Sequence, residues 1–90
     1  VVASNDLLAL GAMRACFELK LTVPDDVAVI GFDDIAVAQL ISPSLTTLRI
    51  PLRQIARDVV ALLMQRIQNK DLSNQRRLVY EPELIIRESA

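Results

Sequence analysis

The run Val27-Ala28-Val29-Ile30 constrains this chain more than any other stretch. Four consecutive apolar residues leave no polar side for water, which is the pattern of a strand in a parallel sheet covered on both faces. Thr22-Val23-Pro24-Asp25-Asp26 before it is a turn, because proline restricts both its own backbone and that of the residue before it. Gly31 ends the run, and Phe32-Asp33-Asp34 follows. A second stretch repeats the arrangement: Val1 to Ala3 reads as the end of a buried strand, and Ser4-Asn5-Asp6 is a run of residue types that cap helices.

A helix is expected from these caps to about Lys20. Residues 35–45 allow a short helix before Ser42-Pro43-Ser44, and Leu45 to Ile50 mixes apolar and polar residues as a strand does. Pro51 suits a first helical turn, and a helix runs on to about Asn69. Lys70 to Arg77 reads as a polar loop, and Leu78-Val79-Tyr80 and Glu83 to Arg87 as two short extended segments broken at Pro82. Strand-helix-strand twice over points to an α/β fold with helical crossovers.

Composition narrows the function. With 52% hydrophobic residues, two glycines and four prolines in 90 residues, the chain is neither disordered nor collagen-like. A domain of this size buries only about 60–65% of its unfolded surface, so it can build one marginal core. No apolar run approaches the roughly 18 residues of a membrane span, so the hydrophobicity belongs to a core or an interface. The single cysteine excludes an internal disulfide, and the absence of histidine removes the commonest general base and zinc ligand. A net charge of −1 argues against a nucleic-acid-binding surface in this chain. The chain has no initiator methionine and no signal-peptide pattern and opens in an apolar run, which is expected of a C-terminal piece of a longer protein.

The two helices differ. In the second, Leu52, Ile55, Ala56, Val59, Val60, Leu63 and Ile67 form one apolar stripe, with Arg53, Gln54, Arg57, Asp58, Gln65 and Gln68 opposite. In the first, Leu8, Ala12, Ala15 and Leu19 form one face and Leu10, Met13 and Phe17 a second, with Gly11, Arg14 and Glu18 between them. A helix apolar on two sides has to bury both. One side can take the sheet; the other needs another subdomain or, as favoured here, a second subunit.

Ser4-Asn5-Asp6 and Asp33-Asp34 each follow an apolar strand, and ligands of open parallel sheets bind beyond the carboxyl ends of the strands. If the two strands are parallel neighbours, Asn5 and Asp33 open into one crevice. An amide donates and accepts while a carboxylate accepts, a combination suited to a polyol, sugar or nucleobase-like ligand. The plainer alternatives are that Asn5 or Asp6 caps the first helix and that Asp33-Asp34 is a solvated turn. Two carboxylates could also hold Mg²⁺ or accept a phosphoryl group. The chain has no P-loop, no nucleophile elbow, no dinucleotide-binding glycine motif and no metal-ligand spacing, which argues against an enzyme and against a cofactor. Cys16, in an apolar helix, reads as a small core residue.

Val23-Pro24-Asp25-Asp26-Val27-Ala28-Val29-Ile30-Gly31-Phe32-Asp33-Asp34 closely resembles the corresponding segment of the lac-repressor/gal-repressor (LacI/GalR) transcription factors. So do Ser4-Asn5-Asp6 with Ala9 and Gly11, Pro43 with Leu45-Thr46-Thr47, and the ending Pro82-Glu83-Leu84-Ile85-Ile86-Arg87-Glu88-Ser89. The resemblance keeps order and spacing across all 90 residues. It implies an α/β fold: a Rossmann-like parallel sheet with flanking helices, in an incomplete C-terminal subdomain of a periplasmic-binding-protein-like core. Residues 1–90 would be the C-terminal portion of the ligand-binding and dimerisation domain. The DNA-binding headpiece, hinge, N-terminal subdomain and preceding β-α unit lie outside this chain, and the piece alone is expected to lack independent stability.

By the same resemblance, Asn5 and Asp33 face a small-molecule effector (a sugar or related metabolite), Leu52 lines its pocket, and the homodimer forms through Leu10, Met13, Arg14, Phe17, Leu40 and Ile41. Ala56 replaces a glycine usual in the family, a change that favours helix. The implied protein is a cytoplasmic regulator that binds operator DNA through a headpiece absent from this chain, with no cofactor and no membrane partner. The alternative with the same fold is a periplasmic sugar-binding protein of a transport system.

Overall fold

The computed structural model describes residues 1–69 and 76–90, so most of the loop expected at 70–77 lies outside the described residues. The chain divides into two compact units, Val1–Ile50 with Pro82–Ala90, and Pro51–Glu81.

The first unit is built around the apolar run. Ile30 pairs in parallel with Val2 on one side and with Thr46 on the other. Ile30 donates to the Val1 carbonyl at 2.9 Å and its own carbonyl accepts from Ala3 at 2.8 Å, while Gly31 donates to Thr46 at 2.9 Å. Helix α1, Asp6–Glu18, lies between these first two segments in sequence. Strand β1, Thr47–Arg49, continues from Thr46, and β2, Glu83–Ile85, pairs with it antiparallel, Thr47 opposite Ile85 and Arg49 opposite Glu83. The parallel expectation therefore holds around Ile30, and the last strand runs the other way. Leu78-Val79-Tyr80 forms no strand.

Ala9, Val29, Ala38 and Leu45 are fully buried and form the core, with Ala12, Met13, Val23, Val27 and Ile41 packed against it. Ala38 comes from a single 3-10 turn, Ala36–Gln39, where a short helix was expected. The buried stripe of α1 is Asp6, Ala9 and Cys16, flanked by partly buried Ala12 and Met13. The face expected against the sheet is thus misassigned: Leu8 and Leu19 are 57% and 71% exposed. α1 ends two residues earlier than expected. Lys20 takes φ 58°, Lys20 donates to the Phe17 carbonyl and Leu21 to the Cys16 carbonyl, the paired bonds of a Schellman motif with lysine where glycine is usual.

The tail closes the unit. Ser89 is fully buried; its hydroxyl donates to the Val29 carbonyl at 2.6 Å and accepts from the Thr46 N–H at 2.8 Å. Its backbone carbonyl accepts from Val29 at 2.9 Å. Beside it, the Glu88 carboxylate accepts from the backbone N–H and the hydroxyl of Ser44, bonds that hold the Glu88 carboxyl below its ordinary value.

The second unit holds α2, Leu52–Asn69, as expected from Pro51 onward. The Pro51 carbonyl accepts from Ile55, and Tyr80 donates its hydroxyl to Asp58 at 2.6 Å. Along the apolar stripe, Leu52, Val59, Val60, Leu63 and Ile67 are each more than half exposed.

Candidate functional site

The loops after Ala3 and after Gly31 meet at one hydrogen bond, 2.9 Å from the Asp6 N–H to the Phe32 carbonyl. Asn5 and Asp33 therefore flank a single backbone contact at the ends of two parallel segments. Asn5 caps α1: its extended backbone (φ −154°) turns Oδ1 toward the Leu8 N–H, from which it accepts at 2.8 Å. That bond uses the amide oxygen and leaves the Nδ2 donors without a partner among the described residues. Capping and ligand binding, set as alternatives for Asn5, are thus compatible. Asp33 is exposed, has φ 112° and donates its N–H to Leu48 at 2.9 Å. Its carboxylate has no partner among the described residues.

The neighbouring aspartates do something else. Asp6, expected as a possible cap, is 1% exposed and acts as an internal tie. Oδ1 accepts from the Thr47 hydroxyl at 2.6 Å and Oδ2 from the Ile35 N–H at 2.8 Å, which joins α1 to β1 and to the loop beyond Asp34. Both oxygens accept, as an ionised carboxylate does. Gly31 makes room for it: a Cβ there would collide with Asp6 Oδ1 and sit 3.1 Å from Leu45 Cδ2.

Asp34, 9% exposed in its side chain, lies between two arginines. Its Oδ2 accepts from Arg49 Nε at 2.7 Å, and its Oδ1 is 2.8 Å from Arg87 Nη1. Burial acts to raise the Asp34 carboxyl, but the hydrogen bonds and charges of Arg87 and Arg49 outweigh it and hold the group below its ordinary value. The roles of Asp6, Asp34 and Arg87 as internal ties escaped the sequence reading. The one available signal was Gly31 between an apolar strand and two aspartates, a position where the absence of a side chain had a steric purpose.

The residues expected at a subunit interface gather on the first unit. Leu10, Met13, Arg14, Phe17 and Ile41 line one hollow of about 530 Å³, together with Leu21 and Pro43. Phe17 is 74% exposed, with the Arg14 guanidinium 5.6 Å from its ring centroid and Arg14 paired with Glu18 at 3.1 Å. Leu40 is 77% exposed and lies outside the lining of that hollow. Leu52 opens α2 in the second unit and is exposed. Among the described residues, no group of three His, Cys, Asp or Glu side chains could hold a metal ion, and no helix is long and apolar enough to cross a membrane.

A family model for the periplasmic binding protein-like domain matches residues 1–90. A lactose operon repressor of Rhizobium radiobacter is 42% identical over 90 residues, covering 100% of this chain and 78% of that protein. The chain belongs to the LacI/GalR family. A further relative, the transcriptional repressor PurR of Vibrio vulnificus, is 37% identical over 89 residues, covering 99% of this chain and 26% of the repressor. Among solved structures, a complex of the transcriptional regulator CelR with cellobiose superposes with a TM-score of 0.93 at 38% identity, covering 100% of this chain and 27% of that one. The chain thus spans about a quarter of the length of PurR and CelR. LacI/GalR membership accounts for the α/β architecture, and the relatives are transcriptional repressors, so a transport receptor is not favoured.

Proposed function

We propose that this chain is the C-terminal part of the effector-binding and dimerisation core of a transcriptional regulator. Asn5 and Asp33 carry the reading. The Asn5 Nδ2 and the Asp33 carboxylate are groups of complementary type with no partner among the described residues, on loops at the ends of parallel segments joined by the Asp6–Phe32 backbone bond. Asn5 Nδ2 would donate to an oxygen of the effector and Asp33 would accept from adjacent hydroxyls, a pairing that suits a sugar. The CelR relative, seen with cellobiose, supports a sugar-like effector. Leu10, Met13, Arg14, Phe17, Leu40 and Ile41 would form the homodimer contact. Effector binding would then bias one arrangement of the dimer, coupling effector and operator affinities by about 1–3 kcal/mol. The regulator would be cytoplasmic, bind operator DNA through a segment outside this chain, and carry no catalytic group.

The test is calorimetric titration of the full-length protein with a panel of mono- and disaccharides, cellobiose included, and purine bases. A sugar that binds the wild type should fail to bind Asp33→Ala, while operator binding persists. Equal binding to both proteins would return Asp33 to the role of a turn residue, and failure of every sugar would remove sugars as the effector class.

A further inference from the structure

Asp33 and Asp34 are consecutive residues with positive φ, 112° and 54°. Such conformations are sparsely populated and persist only where the surroundings over-determine them. Asp34 sits in the ordinary left-handed well that aspartate tolerates, but the φ of Asp33 lies well outside it. Something other than local preference therefore sets the backbone at Asp33. Its side chain does not, since the carboxylate is exposed and unpaired among the described residues.

The restraint lies one residue on. Both Asp34 oxygens are engaged, by Arg49 from β1 and by Arg87 from the segment after β2. Arg87 is itself fixed: Nη1 also donates to the Leu45 carbonyl at 2.9 Å, and its N–H donates to the Thr46 hydroxyl at 2.8 Å. Arg49 is held in register opposite Glu83. The clamp draws the 33–34 turn onto β1, where Asp33 donates to Leu48 at 2.9 Å and Asp34 lies 3.4 Å from the Thr47 hydroxyl.

We propose that Asp34 is a positioning residue for the effector site: clamped by Arg49 and Arg87, it holds Asp33 in its strained backbone conformation before any ligand arrives. The proposal rests on the reading of Asp33 as an effector contact. It divides two adjacent aspartates between a locked anchor and a free carboxylate aimed by it.

The test needs no ligand. Amide hydrogen exchange is followed residue by residue in the full-length protein for wild type, Asp34→Asn and Arg49→Gln. Asparagine keeps the tolerance for left-handed backbone and removes the charge, so the substitution isolates the clamp. The Asp33 amide should exchange about tenfold faster or more in Asp34→Asn, while the Val29 and Ile30 amides, bonded to Ser89 and Val1, keep their rates. Arg49→Gln, at a half-exposed side chain, removes one arm and should give a smaller change of the same sign, and it serves alone where Asp34→Asn does not fold. Unchanged Asp33 exchange overturns the proposal. So does loss of protection at Val29 and Ile30 to the same degree, which would make Asp34 a general fold contact. A faster Asp33 amide combined with unaltered sugar binding by Asp33→Ala would leave the clamp standing and remove the effector reading instead.

Discussion

Replacing Gly31 by alanine tests the close approach on which the first unit depends. Gly31 does not have positive φ, so its role is space and not backbone freedom. The added Cβ would meet Asp6 Oδ1, with Leu45 Cδ2 at 3.1 Å and Asp6 Cα at 3.2 Å closing the other directions. Relief requires the Asp6 carboxylate to leave its place, and both its acceptor bonds, from Ile35 and Thr47, go with it. Hydrogen bonds to charged groups contribute about 1.5–3 kcal/mol each. Alanine recovers about 0.4–1 kcal/mol by stiffening the unfolded chain. The net expectation is a destabilisation of about 2–5 kcal/mol. It is measured by thermal and urea unfolding of the full-length protein, alone and in a cycle with Asp6→Ala. Asp6→Ala is itself costly, because it strands the Ile35 N–H and the Thr47 hydroxyl, but in that background Gly31→Ala should cost clearly less, since only the contacts with Leu45 Cδ2 and the residue 6 Cα remain. A Gly31→Ala protein within about 0.5 kcal/mol of wild type, or an equal cost in both backgrounds, refutes the steric reasoning.

Three other outcomes follow from the geometry. Lys20→Gly, at the left-handed end of α1, should stabilise the protein by about 1 kcal/mol, read as a higher Tm, because glycine meets no Cβ penalty at φ 58°. Because the Asp34 carboxyl is held below its ordinary value when folded, its contribution is complete above about pH 4 and disappears as pH falls through the lowered value. Wild type should therefore lose stability more steeply than Asp34→Asn on acidification below that point, and parallel curves would show the ion pairs to be inert. Phe17→Asp places a charge on the exposed apolar face of α1 and should convert the proposed homodimer to monomer in light scattering, with a Tm that no longer rises with protein concentration; a persisting dimer excludes that face from the interface.

How far the sequence could be read depended on the range of the interaction. The apolar run at 27–30 announces a sheet segment by itself, but covering on both faces does not hold: only Ile30 forms bridges, and Val29 is buried while Ala28 is exposed. Pro51 and the periodic stripe after it announce α2 for equally local reasons. The cap of α1 was legible only as a set of three, because Ser, Asn and Asp share the chemistry of capping and differ in where the third dimension sends their oxygens. Helical spacing also misplaced the packed face of α1. Apolar residues occupy so much of its circumference that periodicity does not choose among stripes, and the stripe that packs includes Asp6. The ties from Asp34 to Arg87 and from Asp6 to Thr47 cross 53 and 41 positions, a separation no local pattern encodes. That the loops carrying Asn5 and Asp33 meet at the ends of parallel segments was legible from strand-end position, whereas the anchors that fix those loops are long-range.

The buried tail has a consequence for how the chain comes to be folded. Val29 exchanges hydrogen bonds with Ser89 across 60 positions, and residues 51–81, a separate compact unit, lie between them. During synthesis from the N-terminus, the first unit therefore waits with an incomplete sheet while the second is made. Contacts this distant in sequence close late and slow folding. A nascent chain halted before residue 87 would present the polar backbone of Val29 and the hydroxyls of Thr46 and Ser44 without their partners, a surface open to proteases and to mispairing. Ser89 thus acts as a completion signal: the unit of Val1–Ile50 and Pro82–Ala90 gains its last sheet contacts only after the intervening unit has been made.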